Sequence, residues 1–423
     1  MAIAPDVLLS EQPLSPLRRK TIVVGLLGCG VVGGGVAARL LGEGRINTSP
    51  ASLARVLVRD LHKARFPESV TPLLTTRAED IIDDPEVQIV VETIGGTGIA
   101  VELVERALRR GKHVVSANKA LVAHAGPRLA ALARDHHAAF RYEASVGGAI
   151  PIVRALADCL AAEDVVELSG VMNGTSNYIM GAMAQGKSFD EALHEAQVAG
   201  YAEPDPTNDV EGIDAAQKLC VLSAIGYRRT VRLDRVVRQS LRALSPADFV
   251  FAKREGYALV PLTYGRRSEE EVIEAVVSPA YVPADHEFAR PKGPGNVVRV
   301  VGVHSGPLHF SGTGAGRSAT ASAVFSDLVE IARRLERWEH QKTEVHDALP
   351  LRVQAPKLGL LLRVEPGAAQ RVATVLRGRD LVADVLGDDG VKVAHCSLDH
   401  CRALLHDAHL GAAVHSLYPL LEE

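Results

Sequence analysis

Asp214 and Lys218 stand four residues apart in the stretch Gly212-Ile213-Asp214-Ala215-Ala216-Gln217-Lys218-Leu219, a spacing that puts both side chains on one face of a helix. A carboxylate and an ammonium held together can orient a substrate and exchange a proton with a reacting oxygen. On a solvated face such a pair is only a surface ion pair, contributing roughly 0.2–0.5 kcal/mol. The apolar run Leu219-Cys220-Val221-Leu222 that follows predicts a helix largely buried here, where an idle lysine is out of place. Just upstream, Pro204 and Pro206 keep Glu203 to Thr207 extended, so Glu203 projects from a stiff loop. A second lysine, Lys119, closes the segment Gly111 to Lys119 at the C-terminal end of a predicted parallel strand, the edge at which open α/β sheets bind ligands.

A cofactor is implied by Gly28, Gly30 and Gly33, which fall at the G-x-G-x-x-G spacing within Thr21 to Ala38. The first glycine turns the chain out of a strand, the second lets backbone approach a pyrophosphate, and the third lets the next helix pack closely with its N–H groups facing the phosphates. Alone the pattern is short and weakly specific. Arg59, just past the second predicted strand, sits where this fold selects its cofactor, and an arginine there accommodates a 2′-phosphate. It argues for NADP over NAD, against the alternative of a surface Arg-Asp turn with Asp60. The stretch Glu143 to Pro151 leaves a strand through Gly147 and Gly148, and its carbonyls with one carboxylate suit a hard cation. As bare sequence it also reads as a loop joining two domains.

The elements that must position these groups alternate as α/β units do. Strands are expected at Ile22 to Leu27, Leu53 to Val58, Gln88 to Glu92, His113 to Ser116 and Ala139 to Glu143. Helices are expected at Val31 to Leu41, Ala100 to Arg110 and Leu121 to Asp135. Apolar strands without alternation imply a doubly wound parallel sheet covered on both faces, a Rossmann-type dinucleotide domain over residues 20–150. Residues 151–311 read as an α+β substrate-binding and dimerisation domain, with elements at Val165 to Met172, Phe189 to Ala199, Gly212 to Ile225 and Glu271 to Val277. The glycine cluster 312, 314 and 316 and the helix Ser318 to Arg337 return to the first domain, which residues 312–342 complete. A proline-flanked joint leads to residues 351–423, read as an independent small α+β module, and residues 1–19 read as a loose N-terminal arm.

Composition narrows the function further. A chain of 423 residues, 47% hydrophobic and 23% charged, is ordinary for globular protein, and a formal charge of −4 with scattered basic residues gives no nucleic-acid or membrane-binding footprint. Arg18, Arg19 and Lys20 before an uncharged stretch imitate a signal peptide, but six glycines in that stretch make a poor apolar helix. Five cysteines without a C-x-x-C pair fit a reducing compartment, so the chain reads as cytoplasmic.

Together these segments resemble homoserine dehydrogenase from about Ile22 to about Arg337. The resemblance rests on Gly25 to Gly33, Val91 to Gly96, Gly111 to Lys119, Ser145 to Pro151, Asn173 to Tyr178, Gly200 to Leu219 and Gly312 to Asp327, with the Glu-Pro-Asp-Pro loop and Asp-x-x-x-Lys-Leu the most specific. It implies reversible NAD(P)H-dependent reduction of L-aspartate 4-semialdehyde to L-homoserine, in threonine, methionine and isoleucine biosynthesis, by a homodimer or larger assembly. Position by position it makes Lys218 and Lys119 the proton-handling residues, Lys218 foremost. Glu203, Asp214, Asn173, Gly174 and Thr175 would hold the substrate. Gly28, Gly30, Val31, Val32, Gly33, Arg59, Thr93, Ser116, Lys119, Gly200, Gly314 and Gly316 would surround the cofactor. Glu143 with the carbonyls of Val146, Gly148 and Ile150 would match the family's sodium site. A lysine in such a site, dry and near other cations, is expected to have a lowered pKa.

Two rival readings share this fold: an oxidoreductase of a related amino-acid aldehyde, and a non-catalytic sensor. Intact Lys119, Glu203, Asp214 and Lys218 speak against the sensor. Pro261, where the family usually has lysine, is expected to disturb a sheet. The C-terminal residues loosely give βαββα, which resembles a divergent amino-acid-binding ACT domain. Its His395, Cys396, His400, Cys401, His406 and His409 meet no standard zinc spacing.

Overall fold

The computed structural model describes residues 22–42, 51–268, 270, 272–337, 349–350 and 352–422. The expected N-terminal arm, Glu271 and residues 338–342 lie outside them.

The apolar strands form a six-stranded sheet in the order Leu74–Thr75, Ala51–Leu57, Ile22–Leu27, Ile89–Glu92, His113–Ser116, Phe140–Arg141, and every pairing in it is parallel. The order reverses between Ile22–Leu27 and Ile89–Glu92, so the ligand crevice of the fold lies outside the C-terminal ends of these two strands. Both faces are covered. Val24, Leu26 and Val91 pack on one side with Val36 of the helix Val31–Leu40 and with Val324 and Leu328 of the helix Arg317–Arg337. Leu27, Val90 and Val114 pack on the other with Val104 of Ile99–Arg109 and Leu121 of Lys119–Asp135. Each such side chain, wholly withdrawn from water, contributes about 1.5–3 kcal/mol.

A larger, eleven-stranded sheet runs Gly306–Thr313, Gly295–Gly302, Val165–Val171, Tyr257–Arg267, Ile273–Pro283, Val414–Leu420, Leu358–Val364, Gly390–Cys396, Ala383–Leu386, with Val353–Gln354 and Val237–Arg238 also paired to Ile273–Pro283, and Leu349–Pro350 pairs separately with Arg229–Thr230. Pro261 does not disrupt it. Pairing of Tyr257–Arg267 with Val165–Val171 begins only at Leu262, so the missing N–H of Pro261 falls where its strand has a single neighbour, and it faces Pro279 there.

The C-terminal residues differ from the expectation in two ways. Their order is strand, helix, strand, strand, helix, strand, because Val414–Leu420 adds a final strand that Pro419 disguises in the sequence. Nor are they independent. Val414–Leu420 pairs along Leu358–Val364 and also meets Ile273–Pro283 at Tyr281 and Leu420. One apolar core accordingly contains Val276 and Val282 together with Leu362, Val372, Val391 and Leu405.

Candidate active site

Three helix N-termini converge on Asp214. Its own helix, Ile213–Gly226, starts from Gly212, which adopts φ 69° and whose Cβ, were there one, would meet Val277 Cγ1 at 2.8 Å. Only glycine fits that start, and it places Asp214 in the first turn, where a carboxylate is favoured by the exposed N–H groups. The helix Lys119–Asp135 is capped by Asn118, whose Oδ1 accepts the N–H of Leu121 at 3.1 Å, so it begins at Lys119 itself and not at Leu121. The helix Gly174–Met183 is capped by Asn173, whose Oδ1 accepts the N–H of Ser176 at 2.7 Å.

The side chains then close a network. Asp214 Oδ1 lies 2.9 Å from Lys119 Nζ and Oδ2 lies 2.7 Å from Lys218 Nζ. Lys218 also donates to the Met172 carbonyl at 2.6 Å, and Asn173 Nδ2 donates to Asp214 Oδ2 at 2.7 Å and to Asp209 Oδ1 at 2.6 Å. Asp214, Lys218 and Asn173 are buried, whereas the Lys119 side chain keeps 39% of its surface exposed. Lys218 thus has two of its three donors committed within the protein. Glu203 stands on the exposed loop with its carbonyl held by Gln197 Nε2 at 3.2 Å, and its carboxylate charge acts on Lys119, adding to the rise in the lysine pKa. Thr175 turns its hydroxyl to the Tyr201 carbonyl at 2.7 Å, on the same side.

Electrostatics follow from this packing. Burial alone would raise the Asp214 pKa, but the ammonium groups of Lys218 and Lys119 outweigh it and hold the carboxyl well below the usual carboxylate range. Asp214 in turn raises the Lys119 pKa above its ordinary value against the opposing effect of burial. The direction at Lys119 is set by its nearest charge, which is a carboxylate and not another cation. Asp209 was not singled out by spacing. Burial raises its pKa, opposed by the Asn173 amide, while the Asp214 charge pushes the same way as burial. It belongs to a separate short helix, Thr207–Val210, so no sequence period links it to Asp214.

The cofactor-side residues gather at the sheet's C-terminal edge. Gly28 adopts φ +100°, and a Cβ on Gly33 would lie 2.3 Å from the Gly28 carbonyl and 2.6 Å from Thr93 Oγ1. Thr93 Oγ1 donates to the Gly28 carbonyl at 3.0 Å, locking the turn. A Cβ on Gly30 would meet nothing within 4 Å, and no side chain caps the helix that starts at Val31, itself 63% exposed with Val32 half-buried behind it. Uncapped N–H groups beside open space fit a pyrophosphate. Arg59 is exposed directly after Ala51–Leu57 and Val58. Gly200 and Gly316 have positive φ of 75° and 110° and open space around them. Two expected contacts look inward instead. Ser116 is fully buried and its hydroxyl donates to Glu92 Oε2 at 2.6 Å, while Gly314 is buried with its would-be Cβ 2.2 Å from Asn296.

The loop read as a cation site is tightly built. Glu143 Oε1 and Oε2 accept the backbone N–H groups of Val153 at 3.0 Å and Arg154 at 2.8 Å, and the Ile150 carbonyl accepts from Ile152 at 2.9 Å. Gly148, at φ +56°, packs its α-carbon against Gly314, and Val146 is buried. Among the described residues no group of three or more His, Cys, Asp or Glu could hold a metal ion, the C-terminal His and Cys residues included. No helix among them is long and apolar enough to cross a membrane.

Comparison with known proteins identifies the family. Residues 151–329 match the family model described as homoserine dehydrogenase, and residues 28–143 match the one described as homoserine dehydrogenase, NAD binding domain. Homoserine dehydrogenase of Bacillus subtilis (strain 168) is 38% identical over 322 residues, 75% of this chain and 74% of that protein. That of Pseudomonas aeruginosa is 36% identical over 385 residues, covering 86% and 87%. The crystal structure of a homoserine dehydrogenase from Thiobacillus denitrificans superposes with a TM-score of 0.85 at 36% identity, over 95% of this chain and 99% of that one. A hyperthermophilic archaeal homoserine dehydrogenase mutant in complex with NADPH shares the fold, with a TM-score of 0.62 at 22% identity over 74% and 98%.

Proposed function

Because this chain belongs to the homoserine dehydrogenase family, we propose how its residues divide the reversible nicotinamide-dependent reduction of L-aspartate 4-semialdehyde to L-homoserine. The bound nicotinamide supplies or accepts the hydride. What the protein must add is a proton at the oxygen that becomes the alcohol, and a fixed orientation of the substrate. Lys218 is the acid/base: it is anchored by Asp214 and the Met172 carbonyl and has one donor left for the substrate oxygen. Lys119, half-exposed on the other side of Asp214, stabilises charge on the same oxygen and borders the cofactor. Asp214 is the common anchor of both, and Asn173 fixes its orientation. Glu203, on the exposed loop, receives the substrate ammonium with Asp209 behind it, while Gly174 and Thr175 form the adjoining wall.

The observation that carries this reading is the single buried carboxylate shared by two lysines from different domains. Homoserine oxidation followed by nicotinamide absorbance, with wild type and Lys218→Ala compared, tests it: retained turnover in a folded variant removes Lys218 from the mechanism.

Finer assignments have narrower support. NADP is the preferred cofactor, because Arg59 is exposed where the 2′-phosphate would lie and Asp60 is occupied, its Oδ1 accepting the His62 N–H at 2.8 Å. The archaeal relative was solved with NADPH, which is consistent. The pyrophosphate lies on the turn Gly28 to Gly33 before Val31 and Val32, with Thr93, Ser116, Gly200, Gly314 and Gly316 shaping the crevice, Ser116 and Gly314 by packing. A sodium ion would be held by carbonyls of Val146, Gly148 and Ile150 with Glu143 as balancing charge, and would stiffen the interdomain loop. The enzyme is cytoplasmic and works as a homodimer through its substrate domain, and the final βαββαβ unit is an ACT-like segment. Sedimentation, and thermal melts with sodium and with free amino acids, test these in turn.

A further inference from the structure

Glu92 ends the strand Ile89–Glu92 in register with Leu27 and Ser116, at the edge of the sheet that faces the crevice. It is fully buried, and burial pushes its carboxyl pKa up against the hydrogen bonds that lower it, with no charged side chain among the causes. Its carboxylate is held by hydrogen bonds alone. Oε1 accepts the N–H groups of Ile94 at 2.8 Å and Gly95 at 3.1 Å and the Asn118 amide at 3.3 Å, and Oε2 accepts the Ser116 hydroxyl at 2.6 Å. Ser116 Oγ also accepts the Asn118 N–H at 3.1 Å, which leaves its hydrogen directed at Glu92 Oε2. A carboxylate accepts from all four groups, whereas an amide in its place would take away the acceptor of the Ser116 hydrogen.

These bonds join the two loops that follow neighbouring strands. One is Thr93 to Gly96, tied to the glycine turn through Thr93. The other is Ser116 to Lys119. Asn118 is the joint: its Nδ2 reaches Glu92 and the Gly96 carbonyl at 2.7 Å, while its Oδ1 caps the helix that starts at Lys119. The direction and register of that first helical turn fix where the Lys119 side chain leaves the backbone. A displacement of about 1 Å at a catalytic group can cost about a hundredfold in rate.

We propose that Glu92 is a positioning residue for the dehydrogenase reaction, its buried carboxylate clasping Ser116 and Asn118 so that Lys119 meets Asp214. This rests on the reading that Lys119 acts at the substrate oxygen. The geometry gives Glu92 no path to the substrate itself, since its oxygens are enclosed by protein donors.

The test is Glu92→Gln, which keeps shape and removes acceptor capacity, read in two ways. Steady-state homoserine oxidation is expected to lose about tenfold or more in kcat. Independently of turnover, the Lys119 resonance of enzyme methylated with ¹³C-formaldehyde, assigned by its absence in Lys119→Arg, is expected to titrate at lower pH than in wild type as the lysine drifts from Asp214. A lowered melting temperature with kcat and the Lys119 titration unchanged would reduce Glu92 to a purely structural residue and overturn the proposal. If Glu92→Gln does not fold, Ser116→Ala removes one of the four donors, and the same downward movement of the Lys119 titration is required of it. Should Lys119→Ala prove fully active while the titration still moves in Glu92→Gln, the positioning stands and the catalytic part assigned to Lys119 fails.

Discussion

The Lys119 ammonium and the Asp214 carboxylate meet at 2.9 Å although one opens the helix Lys119–Asp135 of the parallel-sheet domain and the other lies in the first turn of the helix Ile213–Gly226. Since Asp214 also holds Lys218 at 2.7 Å, one buried carboxylate, costly to bury alone, is paired with two lysines distant from each other in the chain.

Replacing Lys218 by alanine is expected to lower kcat for homoserine oxidation by about 10²–10⁴-fold, the usual contribution of a positioned acid/base. The circular dichroism spectrum should stay that of the wild type. Primary amines of graded pKa added to the variant should restore part of the rate, and an absence of rescue would argue for an electrostatic role instead of proton transfer.

Asp214→Asn leaves two lysines facing an amide and should cost about 3 kcal/mol at pH 7, since removing one partner of a buried pair strands the other. The sign with pH is fixed by the depressed pKa of Asp214. Its contribution is complete above the unfolded value of 3.8 and is lost as pH falls through the lower folded value. Lys119, with its pKa raised, contributes fully below 10.5 and loses its contribution as pH rises beyond it. Urea melts of wild type and variant should therefore differ by a constant amount between about pH 5 and 9, and the difference should narrow both in strong acid and in strong base.

Arg59→Ala should raise the KM for NADP by about tenfold to a hundredfold and leave that for NAD within about threefold, because a charge-assisted hydrogen bond to phosphate is worth about 1.5–3 kcal/mol. Parallel saturation curves with the two cofactors decide it. Equal effects on both would return Arg59 to an ordinary surface residue.

The C-terminal segment is expected to be required for stability of the substrate domain. Arg363 Nε lies 2.8 Å from Asp248 Oδ1, and Asp248 is fully buried at the start of the helix Pro246–Arg254, where its other oxygen accepts the Ser245 N–H at 2.8 Å. Arg363→Ala should destabilise by about 3–5 kcal/mol, and the double variant Arg363→Met with Asp248→Leu should recover most of the loss. Guanidinium melts measure both. A single variant as stable as wild type would show that the segment docks loosely.

Short-range chemistry was legible in the sequence. The i,i+4 spacing of Asp214 and Lys218, the glycine period at 28, 30 and 33, and the apolar strands of the first domain each follow from local geometry, and each is present in the fold. Asp209 was not legible, because it lies on a separate short helix and meets Asn173 only through packing. Val414–Leu420 was missed because a proline inside a strand argues against one, and only the neighbouring strands supply the pairing that accommodates it.

By itself the sequence determined the family and its reaction and the doubly wound nucleotide domain. Those rest on periodicities and motifs that span at most a few turns. The tertiary structure alone decided that Asp214 faces both lysines, that a carboxylate raises the Lys119 pKa, that Ser116 turns inward to Glu92, and that the C-terminal strands extend the larger sheet. Each depends on the charge or hydrogen-bond partner brought near by folding, and partners distant in the chain carry no period for the sequence to show.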